Sequence, residues 1–267
     1  MLAMAVQMLG AGLALVFGVM TILWLIHLRT RNAGIVDFGW ALNLGLLALL
    51  YFFMSEGEPL RKFLITAMAC LWSFRLAFYL LFTRYLGQEE EGRYRELRRK
   101  WKTNLNLKFF VFFQAQALLD WVLSAPFLLA CLNSKPELAA LEWFGLGLWL
   151  IAFLGETLAD WQLHQFKSDR RNQGKTCRAG LWNYSRHPNY FFESLIWVAY
   201  FVFAAASPYG WISVYCPLLI LLAIFKVTGI PATEAQALRT KGEDYRNYQR
   251  TTSMFVPWFK KQLRTAR

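Results

Sequence analysis

Long apolar stretches separated by short polar connections make up most of the chain. A helix needs about 20 apolar residues to cross roughly 30 Å of hydrocarbon, and most of the stretches approach that length. The pattern therefore predicts an all-α fold, a polytopic integral membrane bundle of about seven transmembrane helices. We place the spans at 2–27, 34–54, 63–83, 109–132, 143–160, 190–206 and 211–229.

Few features divide the chain further. The first stretch has no charged residue before Arg29, so it lacks the basic start of a secretory signal peptide, and we interpret it as a retained span. No repeat, low-complexity tract or long linker is visible, which predicts a single membrane domain over 1–267. After Pro231 the sequence favours a short helix that Gly242 interrupts.

The polar connections carry an uneven charge. Of the 29 Lys and Arg residues, 24 lie in 28–33, 84–108, 161–189 and 230–267, and three lie in the alternate connections. Because cytoplasmic loops carry the excess of Lys and Arg, we expect the N-terminus outside and the C-terminus in the cytoplasm. We expect a multi-pass integral membrane protein.

Composition supports a membrane partner over nucleic acid. The chain is 57% hydrophobic and 17% charged, whereas about a quarter of the residues of a soluble domain are charged. Its net charge of +12 is explained by membrane topology and by anionic lipid headgroups, so no nucleic-acid partner is required.

Ionisable residues inside the spans indicate a site, because such side chains have to face protein or water. In the expected orientation most of them fall in the cytoplasmic half, and Asp120 lies roughly 17 Å deep. We expect them to line one polar cavity that opens to the cytoplasm. Snorkelling to the interface and purely structural ion pairs are the alternatives. The set comprises Asp37, Arg75, Asp120, Glu156, Asp160, Glu193, Lys226 and Glu234.

The basic loops 84–108 and 161–189 favour a phosphate-bearing cofactor at the mouth of this cavity, since arginine matches phosphate geometry. The Gly-x-Gly segments at 10–12 and 145–147 lie in apolar spans and follow no strand, so no dinucleotide fingerprint is present. Helix ends and loops would have to hold any nucleotide. Neither the scattered cysteines nor the acidic stripe near His164 has the spacing of a metal motif, so no metal is predicted.

The segment GLWNYSRHPNYFFESLIW carries Arg186, His187, Asn189 and Glu193 from a loop into a span. Because helix N-termini favour phosphate groups, we expect these residues to clamp the cofactor where span six begins. In the alternative interpretation, His187 and Pro188 cap the helix and the aromatic residues anchor it at the membrane interface.

Three blocks in the second half carry a family resemblance: ETLADWQLHQFK, CRAGLWNYSRHPNYFFESLIW and TGIPATEAQALRTKGEDYRNYQRTTSMFVPW. Over about 153–258 their order and spacing resemble the bacterial DUF1295 branch of the steroid 5-alpha-reductase family, and RHPNYFFE is the most specific part. A weaker match covers WSFRLAFYL and GQEEEGRYRELRRKW. Members of that family are polytopic enzymes that reduce a carbon–carbon double bond of a steroid or other lipid with NADPH.

The resemblance implies NADPH as cofactor and a steroid-like or other lipid as substrate. It implies cofactor contacts at Asp160, Lys167, Arg178, Asn189, Glu193 and Tyr245, with Arg75 and Tyr79 contributing from span three. Tyr184, Arg186, His187 and Glu234 complete the predicted cofactor set.

The catalytic residues are harder to transfer. The family places a tyrosine and a glutamate beside the substrate carbonyl, but Trp72 stands at the tyrosine position and span two has no clear glutamate match. Hydride transfer to an enone needs a donor at the oxygen and a proton for the α-carbon, and a carboxylic acid could serve either step. We therefore predict Asp37, Asp120 and Glu193 as catalytic candidates.

Two other classes remain open. Isoprenylcysteine and phospholipid methyltransferases, which use S-adenosylmethionine, also carry an R-H-P-x-Y block before a membrane helix. A non-enzymatic membrane protein would use the buried charges as a relay or as structural pairs. The surplus of Lys and Arg at the mouth favours NADPH over a cationic sulfonium. The sequence does not indicate an oligomeric state.

Overall fold

The computed structural model describes residues 2–227 and 229–260. Over this part of the chain the secondary structure is helical, and the one strand-type pairing is an isolated bridge between Ser185 and Ser253. This confirms the predicted all-α class. Lys261, Arg264 and Arg267, which belong to the basic tail of the charge count, lie outside the described residues.

The helices follow one another with short connections. In chain order they are α1 (Leu2–Thr30), α2 (Ile35–Met54), α3 (Pro59–Leu80) with a π-helical extension Leu81–Tyr85, α4 (Gly92–Lys100), α5 (Leu105–Leu123), α6 (Ala125–Cys131), α7 (Ala140–Ser168), 3₁₀ turns Arg170–Asn172 and Gly180–Asn183, α8 (Pro188–Ala205), a 3₁₀ turn Gly210–Val214, α9 (Tyr215–Leu222) with a π-helical extension Ala223–Val227, α10 (Ile230–Lys241) and α11 (Glu243–Thr251).

Six stretches of the described chain are helical, long and apolar enough to cross a membrane, which is the pattern of a multi-pass membrane protein. They match six of the seven predicted spans. The remaining predicted span, span six at 190–206, forms the 18-residue helix α8, which is not among the six. The first turns of α8 carry Asn189 and Glu193. The six stretches are Leu2–Thr30, Ile35–Met54, Pro59–Tyr85, Leu105–Cys131, Ala140–Ser168 and Gly210–Lys241.

Helix boundaries follow local signals. Glu58 caps α3, where its carboxylate accepts hydrogen bonds from the backbone N–H groups of Leu60 at 3.1 Å and Arg61 at 2.6 Å. Proline opens α8 at Pro188, where a missing N–H costs nothing. Gly242, at φ +53°, separates α10 from α11 and so interrupts the helix where the sequence predicted.

The chain forms two compact units. The first comprises Met1–Trp143 with Phe203–Ser213, and the second Phe144–Val202 with Val214–Arg267.

In the first unit, α2 packs closely on α3 at Gly45. The Ser73 hydroxyl donates to the carbonyl of Ala41 and accepts the Gly45 N–H at 2.8 Å, so it enters the hydrogen-bond ladder of α2. A Cβ atom at position 45 would lie 2.7 Å from Ser73 Oγ and 2.8 Å from the Phe74 ring. This close approach therefore requires glycine.

Arg61 is a buried charge of the first unit, with 1% of its surface exposed. Its guanidinium is paired with Glu142 and donates to the carbonyls of Asn133 at 3.2 Å, Lys135 at 2.6 Å and Glu137 at 2.6 Å. A buried ion pair is tolerated when its remaining donors are satisfied. The arginine thus fixes the connection before α7 to the first turn of α3.

Candidate functional site

Glu234, in the second turn of α10, is the centre of a polar cluster in the second unit. Its Oε1 accepts from Arg186 Nε at 2.8 Å and from the Tyr245 hydroxyl at 3.3 Å, and it lies 3.2 Å from His187 Nε2. Its Oε2 accepts from Gln249 Nε2 at 2.7 Å. We call these five residues the Glu234 cluster. It joins α10, α11 and the start of α8.

Arg186 is held on two sides. Its Nη1 donates to the carbonyls of Gln249 at 2.8 Å and Thr252 at 3.3 Å, while its backbone N–H donates to Ser253 O at 2.9 Å. Its side chain keeps 10% exposure. Among the residues that the structure describes, no atom accepts a hydrogen bond from Arg186 Nη2. The guanidinium is therefore fixed in place with one donor edge available.

His187 stands immediately before α8. Its backbone N–H donates to Ser185 Oγ at 3.1 Å, and its ring stacks on Tyr190 with the centroids 5.5 Å apart. Pro188 then opens the helix. The imidazole therefore both packs at the helix start and contacts Glu234, while its contact with a cofactor stays a prediction.

Tyr245 and Tyr248 lie on one face of α11. Burial, and then the Glu234 carboxylate, raise the pKa of Tyr245 above its ordinary value, so this hydroxyl stays protonated and donates to Glu234. The Tyr248 hydroxyl donates to the Trp182 carbonyl and lies 3.0 Å from Ser185 O. Tyr248 thereby fixes the segment that carries Arg186 against α11, and Tyr245 joins α11 to Glu234 on α10.

Asp160 and Asn189 also meet in the second unit. Asn189 Nδ2 donates to Asp160 Oδ1 at 3.4 Å, a long contact, and Asp160 is 5% exposed. One turn earlier on α7, Glu156 is 3% exposed. The turn before α8 docks on α7 through Trp182 Nε1, which donates to Ala159 O at 2.9 Å.

Arg178 lies in a separate polar contact of the second unit. Its Nη2 donates to Asp244 Oδ1 at 2.7 Å, and Asp244 Oδ2 accepts from the Thr176 N–H at 2.8 Å. Burial alone would raise the pKa of Asp244, but the Thr176 hydrogen bonds and the Arg178 charge outweigh it and hold the pKa below its usual range. Arg178 keeps 41% exposure.

The remaining predicted cofactor residues of this unit are more scattered. Tyr184 is 42% exposed and packs edge-on against Phe259. Lys167 is exposed in the last turn of α7, and Glu193 is half-buried in the second turn of α8. Lys226, which belongs to the predicted charges within the spans and not to the cofactor set, is exposed in the π-helical extension of α9.

Asp37 lies in the first turn of α2, in the first unit. One carboxylate oxygen accepts from Arg93 and the other from the Tyr94 hydroxyl at 2.6 Å. Burial, then the Asp37 charge, raise the pKa of Tyr94 well above its ordinary value, so the phenol remains a donor. Both oxygens of Asp37 are thus engaged by α4.

Arg75, Tyr79 and Trp72 lie on α3 of the first unit. Tyr79 is packed against the buried cluster that contains Ala41 and Leu80. Trp72 is fully buried and meets Trp40 edge-on at 6.2 Å between ring centroids. At the position where the resemblance predicts a tyrosine, the chain therefore has a packed indole.

Asp120, the third catalytic candidate, lies on α5 of the first unit with 0% exposure. Its Oδ2 accepts from Asn43 Nδ2 at 2.8 Å. Within the second unit the structure thus brings some predicted residues together, namely Arg186, His187, Glu234 and Tyr245 in one place and Asp160 with Asn189 in another. The single chamber that would include Asp37, Arg75, Tyr79 and Asp120 as well stays a prediction.

The surface of the described chain includes a depression lined by Asn104 to Leu107 and a second one lined by Tyr184 with Pro257 to Phe259. Of the predicted cofactor residues, Tyr184 lines the second. The described residues contain no group of three or more His, Cys, Asp or Glu side chains that could hold a metal ion.

Sequence reasoning missed two residues of this region. Gln249 is a member of the Glu234 cluster, and Ser185 supports the segment that carries Arg186. Tyr245, Tyr248 and Gln249 have the spacing i, i+3, i+4, which places them on one helix face, and this spacing could have indicated a shared contact. Ser185 carried no comparable signal. Its Oγ donates to Phe255 O at 2.7 Å, a contact between residues distant in sequence that depends on the tertiary fold.

Fold and polar cluster together define a polytopic membrane protein with a preorganised polar site in its second unit. The chain belongs to the family described as "Protein of unknown function (DUF1295)", which matches residues 23–252 and confirms that part of the resemblance. It is 29% identical over 222 residues to "Uncharacterized protein C594.04c" of Schizosaccharomyces pombe (strain 972 / ATCC 24843), covering 73% of this chain. The match covers 64% of that relative's length. No solved structure matches the chain.

Proposed function

We propose that the protein is a membrane-embedded oxidoreductase that uses NADPH to reduce an activated carbon–carbon double bond of a steroid-like or other lipid. The observation that supports the cofactor is the fixed guanidinium of Arg186. A charged, preorganised donor edge is the chemistry that recognises a phosphate group.

The start of α8 adds to this anion preference. The first N–H groups of a helix have no partner within the helix, and the helix dipole favours negative charge at that end. Arg186 lies two residues before Pro188, the first residue of α8. The arginine edge and the helix start are therefore adjacent along the chain, as a phosphate site requires.

The state of Glu234 argues for a phosphate-bearing cofactor over S-adenosylmethionine. An ionised carboxylate offers about four lone-pair sites. Arg186, His187, Tyr245 and Gln249 all contact this carboxylate. Little acceptor capacity is left for the sulfonium or ammonium of S-adenosylmethionine, whereas the unpaired edge of Arg186 still attracts an anion.

The proposed reduction requires a hydride and a proton. When bound, NADPH would supply the hydride for the β-carbon of the lipid. The chain's own residues would hold the cofactor phosphates, exclude water and deliver a proton to the α-carbon. Asp120 suits the proton step better than Asp37, because both oxygens of Asp37 already accept from Arg93 and Tyr94. Glu193 remains a further candidate.

The proposal includes orientation and location. We propose that the N-terminus faces out, that the start of α8 faces the cytoplasm, and that the protein resides in a bacterial inner membrane. The excess of Lys and Arg on one set of connections supports this orientation. A cytosolic cofactor would then reach Arg186 without crossing the bilayer.

Ligand-dependent thermal stabilisation tests the proposal. Purified protein in detergent is heated with NADPH, NADH or S-adenosylmethionine, and a ligand that binds the folded state raises the midpoint. We expect the largest rise with NADPH. A rise with S-adenosylmethionine alone would reassign the protein to the methyltransferases, and no rise with any of the three would favour a non-enzymatic role.

A further inference from the structure

Asp120 and Asn43 form a polar pair in the apolar interior of the first unit. Asn43 lies on α2 and Asp120 on α5, and each is 0% exposed. The amide Nδ2 of Asn43 donates to Asp120 Oδ2 at 2.8 Å. Within the described residues, this is the one hydrogen bond between Asp120 and another side chain, and no cation pairs with it.

One acceptor oxygen on each partner is left over. Asn43 Oδ1 and Asp120 Oδ1 are both buried and have no hydrogen-bond donor among the described residues. An unsatisfied buried acceptor costs about 1–3 kcal/mol, and an ionised carboxylate in apolar surroundings costs considerably more unless it is paired. An ionised Asp120 with a single amide donor is therefore energetically unfavourable in this apolar interior.

No charged neighbour compensates for the missing partner. The helices α1, α2 and α6 pack against α5. Their titratable groups do not form an ion pair or a side-chain hydrogen bond with Asp120 within the described chain; for example, the Tyr51 hydroxyl lies 3.0 Å from Ser124 Oγ. The titratable groups of these helices and of α5 itself are His27, Arg29, Asp37, Tyr51, Lys108 and Cys131.

We propose that Asp120 binds a proton and shares it with Asn43 as a carboxylic acid–carboxamide pair. The Asp120 Oδ1–H group donates to Asn43 Oδ1, while Asn43 Nδ2–H donates to Asp120 Oδ2. One proton thereby gives both leftover oxygens a partner and removes the buried charge. The pair forms two hydrogen bonds in a closed ring, and no other ion or cofactor is needed.

This site goes beyond the proposed reductase activity, because it needs neither NADPH nor a lipid substrate. It assigns Asn43 a positioning role, since the amide holds both oxygens of the acid. Use of the stored proton in reduction would rest on the proposed function. The presence of the proton does not.

Infrared spectroscopy of the full chain in lipid nanodiscs at neutral pH tests the proton directly. Protein labelled with ¹³C at the aspartate carboxyl carbon is compared with unlabelled protein. We expect a carboxylic-acid carbonyl band that shifts with the ¹³C label and again in D₂O. This measurement uses the wild-type chain, so it does not depend on any variant folding.

Substitutions assign the band. Asp120→Asn is expected to abolish it, because an amide takes the place of the acid, whereas the exposed control Asp169→Asn leaves it intact. Asn43→Leu is expected to shift it to higher frequency, since the acid loses its hydrogen-bond partner. Aspartate present only as carboxylate at neutral pH would overturn the proposal, as would a carboxylic-acid band that persists in Asp120→Asn. Neither outcome bears on NADPH binding, so the two proposals fail separately.

Discussion

Glu234 Oε1 and Arg186 Nε lie 2.8 Å apart and join α10 to the segment before α8 across 48 positions of sequence. The exposed fractions of the two side chains are 15% and 10%. An ion pair at this depth is strongly coupled to its surroundings, because each partner would leave an unpaired charge if the other were removed. The cluster therefore fixes the position of Arg186 and also stabilises the second unit.

Removing the carboxylate is expected to destabilise the protein. Glu234→Ala leaves Arg186 Nε and Gln249 Nε2 without their acceptor and the guanidinium without its counter-charge, so we expect a loss of about 3 kcal/mol in the free energy of unfolding. The matched control is Glu243→Ala, which breaks an exposed pair with Arg246 and should cost no more than about 0.5 kcal/mol. Denaturant unfolding in detergent measures both. Equal losses in the two variants would show that the Glu234 cluster adds no special stability.

Arg61 is expected to stabilise the first unit through its fork geometry. Arg61→Lys keeps the charge but cannot reach the Asn133, Lys135 and Glu137 carbonyls together with Glu142, so we expect a loss of about 3 kcal/mol. Arg95→Lys, in an exposed pair with Glu89, provides the comparison and should be nearly neutral. The thermal midpoints of the two variants, each compared with wild type, measure the two losses in stability. A tolerated Arg61→Lys would mean that charge alone suffices at this position.

Glu90 is expected to make stability depend on pH. Burial would raise its pKa, but hydrogen bonds from Arg98 and from the Ala33 N–H outweigh it and lower the pKa below the ordinary value of 4.5. Because the folded-state pKa is depressed, this stabilisation is complete above about pH 4.5 and is lost as the pH falls through the folded-state pKa. The gap in midpoint between wild type and Glu90→Gln should therefore shrink under acid conditions.

The control for this prediction is Glu89→Gln, at a position whose side chain is 89% exposed. It should run parallel to wild type at every pH. A constant difference in midpoint between wild type and Glu90→Gln from neutral to acid pH would contradict the conclusion that the ionised Glu90 carboxylate stabilises the fold.

Gly45→Ala tests the contact between α2 and α3. The new Cβ would lie 2.7 Å from Ser73 Oγ, and overpacking of this kind costs about 1–3 kcal/mol. Gly147→Ala on α7, where no atom lies within 4 Å of the new Cβ, should be neutral or slightly stabilising. Adding Ser73→Ala to Gly45→Ala should recover part of the loss in thermal midpoint. If the thermal midpoint does not recover, the strain does not arise from the contact with Ser73.

Hydropathy predicted the helices well, because span length and apolar content are local properties of the chain. The separation of α10 from α11 at Gly242 was likewise local. Arg61 shows where such reasoning ends: the sequence placed it among the charges of a connection, yet its partners come from 72 to 81 positions away. Pairing across that separation depends on how the helices pack.

The Glu234 cluster was predicted in part for a similar reason. The block RHPNYFFE indicated Arg186 and His187, and Glu234 and Tyr245 were named, but Gln249 carries no motif of its own. Which acceptor Arg186 uses follows from the docking of α11, which the pattern of apolar residues does not encode. The leftover oxygens of Asp120 and Asn43 were equally invisible, since they depend on which face of α2 meets α5.

The most direct test of the account is an NADPH titration of wild type and Arg186→Gln, followed by cofactor fluorescence. Loss of a charge-assisted hydrogen bond costs about 1.5–3 kcal/mol, so we expect roughly 10- to 100-fold weaker binding. Arg246→Gln, at an exposed arginine of the same unit, should bind NADPH as wild type does. Unchanged affinity in Arg186→Gln would contradict the claim that the guanidinium held by Glu234 binds the cofactor.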